Sequence, residues 1–160
     1  NLKALYKSDL QYLYDAEMTM LDLLDGLESS ASSSELKSLI NAQKNRNANH
    51  VKRLEDIAGD LSRDGRKVSK GMQGLHDEIA DLVEKREGFD DAVLDAALIS
   101  ALQRIEHYEI ASYGTLKTYA EMIDDDEAAS VFGEILEEKK DTDESLTKVA
   151  LESVNPEALN

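Results

Sequence analysis

Hydrophobic residues recur along most of the chain at alternating spacings of three and four, which is the period of a helix with one apolar face. The pattern predicts four long helices, over about residues 2–29, 33–62 and 90–123, and from the aspartate run at 124–126 to about residue 153. A shorter amphipathic stretch, residues 72–86, predicts an extra helix between the second and third long ones. The alternation typical of a β-strand does not occur in the sequence.

Residues that cap or break helices lie between these stretches. Ser32 and Glu35 have the spacing of a capping box before the second helix, Gly65 follows its predicted end, and Pro156 ends the last helix. Short, long and short connections between four helices are typical of an all-α four-helix bundle with one long crossover, which here carries the short extra helix. We expect residues 1–160 to form a single domain.

The apolar stripe of each long helix is interrupted by polar residues near the middle of that helix. They are Glu17 in the first helix, Asn47 and His50 in the second, Glu106 and Glu109 in the third, and Glu138 in the fourth, with Asp141 at the edge of the same face. In an up-and-down bundle of helices of similar length, the midpoints lie at one height. We therefore expect these side chains to converge in one polar layer inside an otherwise apolar core.

Buried carboxylates in such a layer need compensation, because each uncompensated buried charge costs several kcal/mol against a total stability of about 5–15 kcal/mol. Protons, basic side chains and bound cations are the three sources of compensation. Arg46 and Arg53 flank His50 at helical spacing, and Arg104 lies close to Glu106 in sequence. Carboxylates with an imidazole are also suitable ligands for iron or manganese, and helical bundles that hold two irons use such ligands.

Six short segments of the sequence resemble a known family. They are LYDAE (residues 13–17), HVKRLE (50–55), MQGL (72–75), QRIEHYEIASYGTL (103–116), EKK (138–140) and DESL (143–146). Through these segments the chain resembles the ferritin-like stress-protein family of YciE and YciF type over nearly its whole length. The resemblance implies a ferritin-like bundle in a cytoplasmic, stress-associated protein. It also implies a homodimer and a site for two metal ions.

The metal ligands that the resemblance implies are Glu17, His50, Glu106, Glu109, Glu138 and Asp141. On the second helix, Asn47-x-x-His50 stands where a ferritin-like bundle has Glu-x-x-His. On the fourth helix, Glu138-x-x-Asp141 stands in the equivalent place, with an aspartate instead of the imidazole, and Asp143 is the other candidate on this helix. Because a neutral Asn is a poor bridging ligand, one of the two iron or manganese positions is weak or lost in this interpretation.

The composition narrows the range of partners. The chain has 34 acidic and 18 basic residues among 160, which gives a net charge of −16. This charge argues against nucleic acid as a partner, because proteins that bind nucleic acid need clustered Lys and Arg. No apolar run approaches the roughly 20 residues of a membrane span. The absence of cysteine excludes disulfides and thiolate metal ligands. The acidic excess predicts a hydrated surface, of the kind suited to high salt.

Two functions are consistent with the sequence. A layer that binds iron or manganese is expected to oxidise ferrous iron or to reduce peroxide, in a stress-associated protein. The alternative is a non-catalytic stress or interaction protein, whose degenerate polar layer binds little or no metal and fixes the helix register through hydrogen bonds. The glutamates of the layer favour the first function, whereas Asn47 and Asp141 favour the second.

Overall fold

The described part of the chain, residues 1–59 and 67–160 of a computed structural model, is mostly helical. The long helices are α1 (Leu2–Leu24), α2 (Ser34–Ala58), α3 (Lys70–Glu84), α4 (Asp91–Met122) and α5 (Asp126–Val149). A π-helical turn, Ala150–Val154, and the short α6, Asn155–Ala158, follow α5. Two 3₁₀ turns, Leu27–Ser30 and Arg86–Gly88, lie in the connections. The described residues contain no strand, and none of their helices is long and apolar enough to cross a membrane.

Helices α1, α2, α4 and α5 form the bundle, and α3 lies on its outside. α1 packs against α2 and α4, and α5 also packs against α2 and α4, so the four helices close a ring. The crossover helix α3 packs against α1 and α4. The predicted all-α four-helix bundle, with one crossover that carries a short extra helix, is therefore confirmed.

Helix α2 begins and ends at residues with clear conformational roles. Ser33 accepts a hydrogen bond of 3.2 Å from the N–H of Leu36, so Ser33 rather than the expected Ser32 caps the helix. Gly59 follows the helix with a φ of 69°, a left-handed conformation that glycine adopts without steric cost. The helix is therefore shorter than predicted, and the expected stop at Gly65 lies outside the described residues.

Two apolar clusters fill the bundle. The first includes Met20 of α1, Ile40 of α2, Leu102 of α4 and Leu146 of α5. The second includes Leu13 of α1, Leu54 of α2, Leu116 of α4 and Ile135 of α5. In each bundle helix the two clusters take residues from opposite halves, so the middle of the helix is left to the polar side chains.

The crossover helix is fixed to the bundle at its N terminus. The N–H of Ser69, which caps α3, donates to the carboxylate of Asp15 at 2.8 Å, and the Ser69 hydroxyl lies 2.7 Å from that of Tyr108. Next to it, Gly71 approaches Tyr108 so closely that a Cβ atom at position 71 would lie 2.7 Å from a ring carbon. These contacts tie α3 to both α1 and α4.

Helix α5 buries Ala128, Ile135, Thr142 and Leu146, as the apolar spacing predicts, but differs from the prediction at the positions between them. Its buried side chains are Ala128, Ala129, Phe132, Ile135, Lys139, Thr142 and Leu146. The spacing of apolar residues in the sequence also predicts Val131 and Glu138 in the core, and this is wrong, since both are only partly buried. Asp141, expected at the edge of the core face, is exposed. The next residue along the chain is buried in each case, so Lys139 takes the core position that was predicted for Glu138.

Candidate functional site

One polar layer crosses the bundle between the two apolar clusters. Its members are Glu17 of α1, Gln43, Asn47 and His50 of α2, Glu106 and Glu109 of α4, and Lys139 and Thr142 of α5. Each of these side chains is at most 4% exposed. All four bundle helices thus contribute to the polar layer that the sequence led us to expect.

The ammonium group of Lys139 lies among the carboxylates of the layer. Its Nζ atom is 2.5 Å from Glu109 Oε2, and 3.2 Å and 3.4 Å from the two carboxylate oxygens of Glu17. Burial by itself lowers the pKa of Lys139, but Glu109, Glu17 and Glu106 outweigh this effect and raise the pKa above its ordinary value. Lys139 is therefore positively charged, and it is the basic partner of these carboxylates.

The two glutamates of α4 respond to burial by holding their protons more tightly. Burial raises the pKa of Glu106 to about 7, with Lys139 opposing the shift and Glu17 adding to it. Burial also raises the pKa of Glu109 well above its ordinary value, with Glu17 adding to the shift and Lys139 opposing it. The Gln43 amide donates a hydrogen bond to Glu106. Protonation therefore reduces the negative charge of the layer near neutral pH.

Glu17 receives hydrogen bonds from three other helices. The Asn47 amide of α2 donates to one of its oxygens, and the Tyr113 hydroxyl of α4 donates to the other at 2.6 Å. Lys139 of α5 provides the third donor. Burial raises the pKa of Tyr113 well above its ordinary value, which keeps its hydroxyl protonated as a donor. This carboxylate is the group that connects all four bundle helices.

His50 connects the layer to the rim of the bundle. Its Nε2 atom lies 2.6 Å from Glu138 Oε2, and its Nδ1 atom lies 3.8 Å from Glu17 Oε1. Burial lowers the pKa of His50, although Glu17 opposes the shift. Arg53 donates to the other Glu138 oxygen at 3.0 Å and pairs with Glu134 at the surface. Burial raises the pKa of Glu138, but contacts with His50 and Arg53 outweigh that effect and lower it.

Four of the six residues predicted to bind metal meet in the layer. They are Glu17, His50, Glu106 and Glu109. Glu138 lies at the rim, 36% exposed, and touches the layer through His50. Asp141 is exposed and does not join it. The sequence reasoning missed Lys139, and the signal that identifies it is Phe132, the largest apolar residue of α5, which lies seven residues earlier on the same helix face.

Five buried polar atoms of the layer have no hydrogen-bond partner within the described part of the chain. They are Gln43 Oε1, Asn47 Oδ1, His50 Nδ1, Glu106 Oε2 and Glu109 Oε1. Each accepts a hydrogen bond when it carries no proton, so the layer holds more acceptors than donors. Protons on the two α4 carboxyls, or ordered water, would supply the missing donors.

The residues of the layer do not fit a site for two metal ions. In a bundle with such a site, two helices each provide a Glu-x-x-His pair. Here α2 provides Asn47 and His50, and α5 provides Lys139 and Thr142. A protonated amine has no lone pair with which to bind a metal ion. The described residues contain no group of three or more His, Cys, Asp or Glu side chains placed to hold one.

The fold and the layer together define an all-α four-helix bundle protein with a buried, ion-paired polar layer. The chain belongs to the family described as Domain of unknown function (DUF892), whose model matches residues 1–159. It is similar to Protein YciF of Escherichia coli (strain K12), with 38% identity over 149 residues, 92% of this chain and 89% of that protein. The predicted membership of the YciE and YciF type is therefore confirmed.

Solved structures that share this fold include those of two similar proteins. The E. coli stress protein YciF matches with a TM-score of 0.89 and 34% identity, over 97% of this chain and 98% of that chain. "YcfI, a putative structural protein from Rhodopseudomonas palustris" matches with a TM-score of 0.85 and 27% identity, over 94% of this chain and 95% of that chain. These matches confirm the predicted ferritin-like helical bundle over nearly the whole chain, including the crossover.

Proposed function

We propose that this chain is a non-catalytic, stress-associated helical-bundle protein, in which the buried polar layer holds the four helices in register. The relationship to the E. coli stress protein YciF supports the association with stress. The name of the R. palustris neighbour proposes a structural role for that protein, in agreement with a non-catalytic function here.

The observation that carries this proposal is the position of the Lys139 ammonium group between Glu17 and Glu109. The three groups come from α5, α1 and α4, so the charges of the layer are met by the chain itself. If α5 moved along its axis by one turn, the ammonium would leave both carboxylates. Breaking a buried ion pair costs about 3–5 kcal/mol, because the remaining charge has no partner. The layer therefore disfavours other alignments of the helices.

Binding of iron or manganese, with oxidation of ferrous iron or reduction of peroxide, is the competing function predicted from the sequence. The five unpartnered acceptor atoms favour this function, because a bound cation would be a partner for several of them. The ammonium group argues against it. A metal ion bound by both Glu17 and Glu109 would have to displace Lys139 from the two carboxylates.

Metal analysis of the wild-type protein tests the proposal. The chain is produced in medium supplemented with iron and manganese, purified without chelator, and analysed by inductively coupled plasma mass spectrometry. We expect less than roughly a tenth of an ion per chain, and no rise in the thermal unfolding midpoint when Fe²⁺ or Mn²⁺ is added without oxygen.

Two variants distinguish metal in the layer from metal on the acidic surface. Glu106→Ala removes a buried carboxylate, and Asp141→Ala removes an exposed carboxylate of α5. Stoichiometric metal that is lost from Glu106→Ala but kept by Asp141→Ala would contradict the proposal and establish the competing function. Oxidation of ferrous iron or consumption of peroxide that requires Glu106 would have the same meaning.

A further inference from the structure

Lys139 joins two carboxylates in the way that a bridging metal ion does. Its Nζ atom lies 2.5 Å from Glu109 Oε2 on α4 and 3.2 Å from Glu17 Oε1 on α1. A metal ion between the same carboxylates would make bonds of about 2.0–2.2 Å. Either cation would contact the same two glutamates, but the ammonium group belongs to a side chain of α5.

We propose that Lys139 is the resident cation of the layer: its ammonium group takes the place of a divalent metal ion, and the side chain at position 139 decides whether the layer accepts metal. This inference rests on the proposed non-catalytic function and gives a cause for it. The hydrogen bonds of Thr142, three residues further along α5, support this inference. The Thr142 hydroxyl donates to the carbonyl oxygen of Glu138 at 3.0 Å and accepts from Arg46 at 3.1 Å, in the place of a metal-binding imidazole.

The charge balance of the layer agrees with a single positive charge at this position. Glu17 and Glu109 contact the ammonium group, and Glu106 lies in the same buried layer. Two divalent ions would bring four positive charges to these three carboxyl groups, where Lys139 brings one.

Substitution of Lys139 tests the proposal, with Co²⁺ alone as the probe because bound Co²⁺ absorbs visible light. The double variant Lys139→Glu/Thr142→His replaces the ammonium with a carboxylate and adds an imidazole. Lys139→Met is the matched control, since it fills a similar volume without a charge or a hard ligand. We expect the double variant to bind at least about one Co²⁺ per chain, to gain a visible absorption band, and to unfold about 5 °C higher with Co²⁺. Wild type and Lys139→Met should show none of these changes.

The same measurements separate failure of this inference from failure of the proposed function. If the double variant keeps the helical circular dichroism spectrum of the wild type but binds no Co²⁺, the inference is overturned and the proposed function stands. If the wild-type protein itself binds Co²⁺ and Glu106→Ala abolishes that binding, the proposed function is overturned, and the inference with it.

The variant Lys139→Ala provides a second test of the inference, for use if the double variant does not fold. It removes the ammonium group and opens space beside Glu17 and Glu109 without adding a like charge. We expect Co²⁺ to raise the thermal midpoint of Lys139→Ala but not that of Lys139→Met, since the methionine side chain fills the space. The absence of any rise in Lys139→Ala would overturn the inference.

Discussion

Glu106 illustrates at the scale of one residue how the layer tolerates its charge. Its side chain is fully buried, accepts a hydrogen bond from Gln43, and has one oxygen without a partner among the described residues. Burial raises its pKa to about 7, with Lys139 opposing the shift. Near neutral pH a proton therefore neutralises much of the Glu106 charge, as the ammonium group neutralises that of Glu17.

Glu106 makes the stability of the protein depend on pH. Because the folded-state pKa of about 7 lies above the ordinary value of 4.5, the folded state binds this proton more tightly than the unfolded state. The free energy of unfolding should therefore fall as the pH rises from about 4.5 to 7, by up to about 3 kcal/mol from this group. Urea unfolding at about pH 5 and about pH 8 measures the decline, and Glu106→Gln should reduce it.

The exposed Glu144 provides the control for this pH effect. Glu144→Gln should leave the decline unchanged, whereas the decline in Glu106→Gln should be smaller but still present, because burial also raises the pKa of Glu109. A decline of the same size in Glu106→Gln and wild type would show that Glu106 does not hold its proton in the folded protein.

At the scale of the helices, the sequence pattern predicts most of what the structure contains. The third predicted helix, residues 90–123, agrees with α4 (Asp91–Met122), and the predicted crossover helix, 72–86, agrees with α3 (Lys70–Glu84). Both predictions depend on the spacing of apolar residues and on helix-breaking residues such as Gly88. These signals involve only residues that are close together in the sequence. Polar residues at the helix midpoints likewise indicate the height of the layer.

The charged residue that α5 places in the core is the element-scale feature that the spacing of apolar residues left open. Residues 137–140 read Glu-Glu-Lys-Lys, so every choice of core face brings a charged residue inside at this height. Because Glu138 and Lys139 are both charged, hydropathy alone does not indicate which of the two side chains is buried. The choice is made by carboxylates on other helices, Glu17 and Glu109, which surround a cation but would repel a third carboxylate. Within the α5 sequence the one indication is Phe132, which lies seven residues before Lys139 on the same face.

Asp95 of α4 supports the connection between α1 and α2. Its buried carboxylate accepts hydrogen bonds from the N–H groups of Ser32 at 2.9 Å and Ser33 at 2.7 Å. Asp95→Ala would leave two donors unsatisfied, so we expect a loss of about 2–4 kcal/mol in the free energy of unfolding. Urea unfolding measures the loss, and faster amide hydrogen exchange at the two serines would locate it.

Glu121, which forms an exposed ion pair with Lys117 on the same helix, serves as the control for Asp95. Glu121→Ala should cost less than about 1 kcal/mol, since exposed ion pairs contribute little. If Asp95→Ala cost no more than Glu121→Ala, the connection before α2 would not depend on the buried carboxylate.

At the scale of the whole molecule, the acidic residues fall into two groups. In the described part of the chain, the buried ones are Asp15, Glu17, Asp95, Glu106 and Glu109. The other described acidic side chains are partly or fully exposed, and they account for most of the net charge of −16. Repulsion among exposed charges destabilises the compact state, and dissolved salt screens it.

Salt should therefore stabilise this protein. Raising NaCl from about 0.1 M to about 1 M shortens the screening length from about 10 Å to about 3 Å, and we expect the thermal midpoint to rise by about 5 °C. A triple variant with Glu87→Lys, Glu144→Lys and Glu152→Lys, all at exposed positions, should show a smaller rise. An equal rise in the variant would mean that the salt acts through something other than surface charge. Adaptation to high salt remains a prediction.

The homodimer implied by the resemblance also remains a prediction. Of the apolar side chains outside the predicted stripes, Leu94 and Leu98 are buried with Met72 and Ile79 of α3 in the first apolar cluster. These leucines therefore serve the crossover. Leu5 of α1 is 46% exposed and remains free to contribute to a subunit interface.

Lys139 is encoded by the gene and arrives with α5 as the chain is synthesised. A bundle that depends on metal must acquire its ions after synthesis, can lose them to a chelator, and can take up a competing ion that binds more tightly. A core whose positive charge belongs to Lys139 needs no such loading step. In the function proposed here, Glu17 and Glu109 gain their positive partner as soon as α5 packs against α1 and α4.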